Sequence, residues 1–185
     1  MPGDDPLIGL LQTTPPACVA GFGLTPARLP AAWGGDLCVS TWRLACPCGE
    51  SRSRIRGFRL GDYNPAYPSS DLFISPIGLE CAACGTVTEI LDTDRHGYHA
   101  ELARRAGGTG SANYRGSGPR TAWPCPQCAG DLFGVTVAFW YWDIVREVIE
   151  DEPAWPAQDF FSVFRLLADC AGCGHASEPT DFGKL

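Results

Sequence analysis

Four pairs of closely spaced cysteines constrain this chain more than any other feature. They are Cys46/Cys48 in "CPCGE", Cys81/Cys84 in "CAACGT", Cys125/Cys128 in "CPQCAG" and Cys170/Cys173 in "CAGCGH". Two thiolates three positions apart sit on one side of a tight turn, and a glycine just behind supplies the positive φ that ends it. Two such turns present four sulfur ligands, which close one tetrahedral site; four turns make two. The start of the chain, "MPGDDPLIGLL", has Asp4 and Asp5 where a secretion signal needs positive charge, and its apolar run is short. The expectation is a cytoplasmic, reducing location, in which ten cysteines read as metal ligands rather than disulfides.

The motifs "CPCG", "CAACG", "CPQCAG" and "CAGCG" resemble the zinc-ribbon class, in which two rubredoxin-like knuckles are joined by a short antiparallel sheet. The likeness is to a class rather than to a named family and covers the knuckles alone. It implies two structural Zn2+ ions, each held by four cysteines. The expected ligands are Cys46, Cys48, Cys81 and Cys84 for one ion, and Cys125, Cys128, Cys170 and Cys173 for the other. Crossed pairing between the halves is the alternative. Cys46 and Cys48 are separated by one residue, too few for the usual knuckle turn. Either both ligate with altered geometry, or Cys38 or a histidine replaces one of them. Cys18 and Cys38 otherwise read as core residues. "WPCPQC" has the look of a dithiol redox motif, but the "CAGDLFGVTV" that follows reads as turn and strand, not as the helix such chemistry uses. An iron–sulfur cluster is the remaining cysteine alternative.

An internal repeat accompanies the knuckles. "DLFISPIGLECAACGTVTEILD" (71–92) aligns with "DFFSVFRLLADCAGCGHASEPTD" (159–181), and Glu89 and Glu178 stand at the same offset from the cysteines. The fold expected is mostly β, with two tandem zinc-ribbon-like antiparallel sheets forming one compact protein with little helix. Residues 1–35 read as an irregular arm, 36–106 as the first unit, 107–120 as a Gly-rich linker and 121–185 as the second unit. Strands are predicted at 36–45, 54–61, on both sides of Cys81/Cys84, and at 133–145, and a short helix within "RHGYHAELARRA". "DFFSVFRLLAD" fits a helix or a strand, and the repeat favours the strand. The acids from Glu147 to Glu152 read as a solvated loop.

The net charge of −7, before any thiolate is counted, disfavours nucleic acid and anionic membranes as partners. The 13 arginines cluster at 43–59 and 95–120, whereas the acids gather after Asp143. That pattern fits either a self-complementary surface or a basic face for an acidic partner. No apolar run approaches the ~20 residues of a membrane-spanning helix. Asp92, Asp94, His96 and His99, with Glu101, form the best enzymatic candidate. Against it, no HExxH-type motif is present and Gly97 interrupts the helical face. The linker glycines offer N–H groups to an anion but lack a phosphate-loop pattern. Trp140 and Trp142, in "FWYW", suit core packing, a partner surface or base stacking.

The reading that follows is a non-enzymatic zinc protein that binds another protein as an adaptor. Its alternatives are nucleic-acid binding through the Arg-rich first half and a metal-dependent enzyme built on the Asp92–Glu101 cluster.

Overall fold

The computed structural model of the chain describes residues 6–28, 39–108 and 115–180. In chain order these form α1 (Pro6–Thr13), β1 (Gly23–Pro26), β2 (Val39–Ala45), β3 (Arg52–Arg59), α2 (Leu60–Tyr63), β4 (Phe73–Cys81), β5 (Val87–Leu91), α3 (Tyr98–Arg105), β6 (Thr121–Ala122), β7 (Phe133–Trp140), α4 (Ile144–Asp151), β8 (Val163–Cys170) and β9 (Ala176–Ser177). The protein is mostly β with little helix. Its strands, from both halves of the chain, join in one nine-stranded antiparallel sheet among the described residues.

Two hairpins carry the sheet. β3 pairs with β4 and β4 with β5; β7 pairs with β8 and β8 with β9. The hairpins meet where Arg52 and Ser53 face Gly134 and Phe133. Two further strands cross between them: β2 lies along β7, and β6 lies along β3.

β7 is the centre of this arrangement. Its β-branched and aromatic residues favour a pleated, covered surface, and all eight are buried. β2 flanks it on one side and β8 on the other. Phe133, Phe139, Phe160, Phe161 and Phe164 are fully buried and pack with Ile55, Ile77, Leu91 and Leu166 in the main core. On the opposite face Trp140 packs with Ala138, Val163 and Leu167, under the Arg165 guanidinium at 5.5 Å.

Three local expectations need correction. The described part of 1–35 is not an irregular arm: α1 buries Leu11, and β1 pairs with β2. The strand expected over 133–145 stops at Trp140, and the acidic loop expected after it is helix α4. Ile144, Val145, Val148 and Ile149 recur at helical spacing, so Glu147, Glu150 and Asp151 fall on a helix surface. The Gly-rich segment is fastened at its end. Residues 109–114 lie outside the described residues, but the Gly116 N–H donates to the Ser75 carbonyl at 2.7 Å and the Tyr63 hydroxyl donates to the Ser117 carbonyl at 2.6 Å. A Cβ on Gly116 would come within 2.2 Å of the Phe58 side chain, so only glycine fits this close passage.

Candidate metal centres

Each cysteine pair sits where a strand ends in a tight turn. The first cysteine of each pair donates its N–H across the turn: Cys46 to Glu50 at 2.8 Å, Cys81 to Thr86 at 2.9 Å, Cys125 to Gly130 at 2.7 Å and Cys170 to His175 at 2.9 Å. Its carbonyl accepts from the residue behind the second cysteine: Gly49, Gly85, Ala129 and Gly174, at 2.8 to 3.1 Å. All four of those residues have positive φ, between 60° and 93°.

The Cys46–Cys48 turn therefore closes in the same way as the others with one residue fewer. Cys46 and Cys48 both reach the cluster, and neither Cys38 nor a histidine is needed there. Cys38 itself lies outside the described residues. At the third turn the positive φ falls on Ala129, and the glycine comes one position later. A Cβ on Gly130 would lie 3.3 Å from Cys128 Sγ, so the glycine serves where backbone passes closest to the sulfurs.

The turns assemble as two clusters, Cys46/Cys48/Cys81/Cys84 and Cys125/Cys128/Cys170/Cys173, with the four sulfurs of each within 4.8 Å of one another. Closest separations are 3.6 Å for Cys46–Cys84, 3.5 Å for Cys48–Cys81, 3.7 Å for Cys125–Cys173 and 3.6 Å for Cys128–Cys170. These are far beyond a disulfide bond of about 2.05 Å. They match the ~3.8 Å edge of a sulfur tetrahedron drawn around an ion with metal–sulfur bonds of about 2.3 Å. In each cluster two cysteines are buried and two exposed.

Without metal the thiols are not equivalent. Cys84 is held down to about 6, first by the Thr86 hydroxyl 3.3 Å from its sulfur and then by the Thr86 N–H. Cys170 is held down to about 7 by the Cys173 N–H, which, with the Gly172 N–H, outweighs burial. In each cluster the local N–H and hydroxyl groups thus favour the thiolate, the form that binds metal.

Ion pairs and hydrogen bonds hold much of the polar cluster, while Asp94 Oδ1 is buried without a hydrogen-bond partner among the described residues. Asp92 is buried, and Arg115 grips both its carboxylate oxygens at 3.2 and 2.9 Å and reaches Asp94 at 3.1 Å. Burial works to raise the Asp92 carboxyl, but Arg115 and the Asp94 N–H outweigh it and hold the group below its ordinary value. His96 Nδ1 accepts the Asp92 backbone N–H at 2.9 Å. His99 is exposed and lies edge-on to Tyr98 and Trp142. Among the described residues these groups do not converge as a metal-ligand set. Sequence reading missed Arg115 as the partner of Asp92, because nothing local signals a contact across 23 positions. His96 also lines a small cleft with Cys18, Glu101 and Asp159. Burial, aided by the Asp159 charge, pushes the Cys18 thiol up, so it stays protonated and unreactive.

His96 gives a pH test. Burial, and then Arg95, lower its pKa below the ordinary ~6.5. The unfolded chain therefore binds the proton more readily. The stabilisation from neutral His96 is complete above about pH 6.5 and is lost as pH falls through the lower folded value. We expect His96→Asn, whose Oδ1 keeps the acceptor, to flatten the decline of chemical-denaturation stability below pH 6.5. An unchanged slope in metal-saturated protein would show that His96 does not titrate there.

The aromatic pair divides. Trp140 is buried within the sheet, and Trp142 is half-buried beside Tyr98 and His99. The arginines face the protein's own acids: Arg43 meets Asp169, Arg54 meets Asp131 and Glu80, Arg56 meets Glu80, Arg59 meets Asp71, and Arg120 meets Glu89. No described helix is long and apolar enough to cross a membrane. No family model matches this chain, and no curated protein or solved structure shows a significant match to it.

Proposed function

We propose that this is a non-enzymatic protein with two structural zinc ions, built from ribbon units at 36–106 and 121–185, and that it works by binding another protein. The observation that carries the reading is the pair of all-cysteine clusters. Four thiolates complete the coordination of zinc and leave no position for water or substrate, so such a site holds the fold rather than performing chemistry. Soft thiolate sets suit zinc, although iron takes the same ligands.

Charge placement favours a protein partner over nucleic acid. Arginines already neutralised by Glu80, Glu89, Asp131 and Asp169 have little left for phosphates. The exposed acids Asp143, Glu147, Glu150, Asp151 and Glu152, on and beside α4, suit a basic protein surface.

Two measurements test this. Elemental analysis of purified, tag-free protein is expected to give two zinc ions per chain; a third metal, or iron, would redirect the reading to catalysis or electron transfer. Titration with duplex DNA and with RNA at low salt is expected to show no binding. Affinity that fell steeply with added salt would establish the nucleic-acid alternative instead.

A further inference from the structure

The two clusters stand at opposite ends of one row of the sheet. Cys81 pairs with Ser53, Ser53 with Phe133, and Phe133 with Cys170. Three inter-strand steps of about 4.8 Å separate the two ligand cysteines, roughly 15 Å in all. Directly paired residues project to the same face of a sheet, and all four of these are buried.

The strands that deliver ligands to this row are exchanged. β2 leads straight into Cys46, yet its ladder partner is β7, from Val39 opposite Trp140 to Leu44 opposite Val135. β6 leads towards Cys125, yet its partner is β3, with Ala122 opposite Arg56 and Thr121 opposite Gly57. The Trp123 N–H extends that ladder to the Ile55 carbonyl at 2.9 Å.

The two crossings have the same register. Arg43 lies three residues before Cys46, as Ala122 lies three before Cys125. Arg43 faces Thr136, eight residues after Cys128; Ala122 faces Arg56, eight residues after Cys48. Each half lays the strand before its first knuckle on the other half's hairpin, at the equivalent position.

A metal ion at Cys46/Cys48/Cys81/Cys84 therefore ties the end of β2, docked on β7, to the end of β4. An ion at Cys125/Cys128/Cys170/Cys173 ties the segment after β6, docked on β3, to the end of β8. Each ion fastens one half to the other, and both hold the ends of the Cys81–Ser53–Phe133–Cys170 row. From this exchange we infer that the two metal sites are coupled: filling one raises the affinity of the other. The inference rests on reading the clusters as metal sites. By linkage the effect is reciprocal, and it holds although β2 has the longer ladder.

The test uses the full chain and Co2+, whose thiolate charge-transfer and d–d absorption reports tetrahedral sulfur ligation. Wild type is titrated in competition with a chromophoric chelator, beside Cys84→Ser and Cys173→Ser, which each remove one exposed ligand. Crippling either site is expected to weaken Co2+ binding at the untouched one by about 5–150-fold. Native mass spectrometry of half-loaded wild type is expected to show the singly loaded species below the statistical half. That second measurement decides the matter if a variant fails to fold. Unchanged affinity at the untouched site, or a statistical distribution in wild type, would overturn the coupling. Fewer than two Co2+ per chain, or no thiolate absorption, would instead overturn the metal-site reading.

Discussion

A strong chelator at neutral pH is expected to abolish the cooperative thermal unfolding transition of this protein. Each zinc held by four cysteines is worth an apparent ~10–16 kcal/mol, because binding and folding are one process. A whole domain is stable by only about 5–15 kcal/mol. The clusters also close four of the turns that set strand register, at Cys46, Cys81, Cys125 and Cys170. Without metal, the sulfurs gathered at the two buried strand ends, at Cys81 and Cys170, lose the ion that holds them together. The phenylalanine core is large enough to keep part of the chain collapsed, so loss of near-UV circular dichroism should exceed loss of far-UV signal. A melting curve unchanged after verified metal removal would show that the sheet stands without its ions.

Replacing Phe133 by alanine is expected to be the most damaging change outside the ligands, costing about 3–5 kcal/mol. Phe133 has no exposed surface, its ring lies 5.2 Å from that of Trp123, and its backbone joins the two hairpins opposite Ser53. For a chain of this size the loss corresponds to a fall of roughly 6–20 °C in Tm. The metal content should stay at the wild-type value, since Phe133 supplies no ligand. A loss below about 1 kcal/mol by denaturant unfolding of metal-loaded protein would show that the junction repacks around the cavity.

How far the fold and site could be read in advance depended on the range of the interactions involved. The knuckles were legible because a cysteine pair, its turn and its positive-φ residue lie within five or six positions, and all four turns close by local hydrogen bonds. The strands beside Cys81 and at 163–170 were legible from the repeat, even where "FFSVFRLL" also fits a helix. α4 was missed because "FGVTVAFWYWDIV" reads as one continuous apolar run, and the switch from strand to helical spacing falls inside it. The one-residue shortening at Pro47 pointed to an altered geometry, yet moving the glycine and the turn's closing bond together preserves the turn. Asp92 and His96 drew attention as polar groups, but the ion pairs of Asp92 and its neighbour Asp94 come from Arg115, which reaches them from the Gly-rich segment.

By itself the amino-acid order determined the four cysteine turns, the β character and the repeated knuckle pattern, because turn geometry acts over a few residues; which turns share a cluster was decided by the tertiary structure. The order also determined an acidic chain whose arginines had acids available to neutralise them. Only the tertiary structure decided which acid meets which arginine, that Trp140 is packed into the sheet, and that β2 and β6 cross to the opposite hairpins. Those outcomes depend on pairing across 12 to more than 100 positions. Chain closure over such distances costs nearly the same for several alternatives, so the choice is made by burial and register once the whole sheet is assembled.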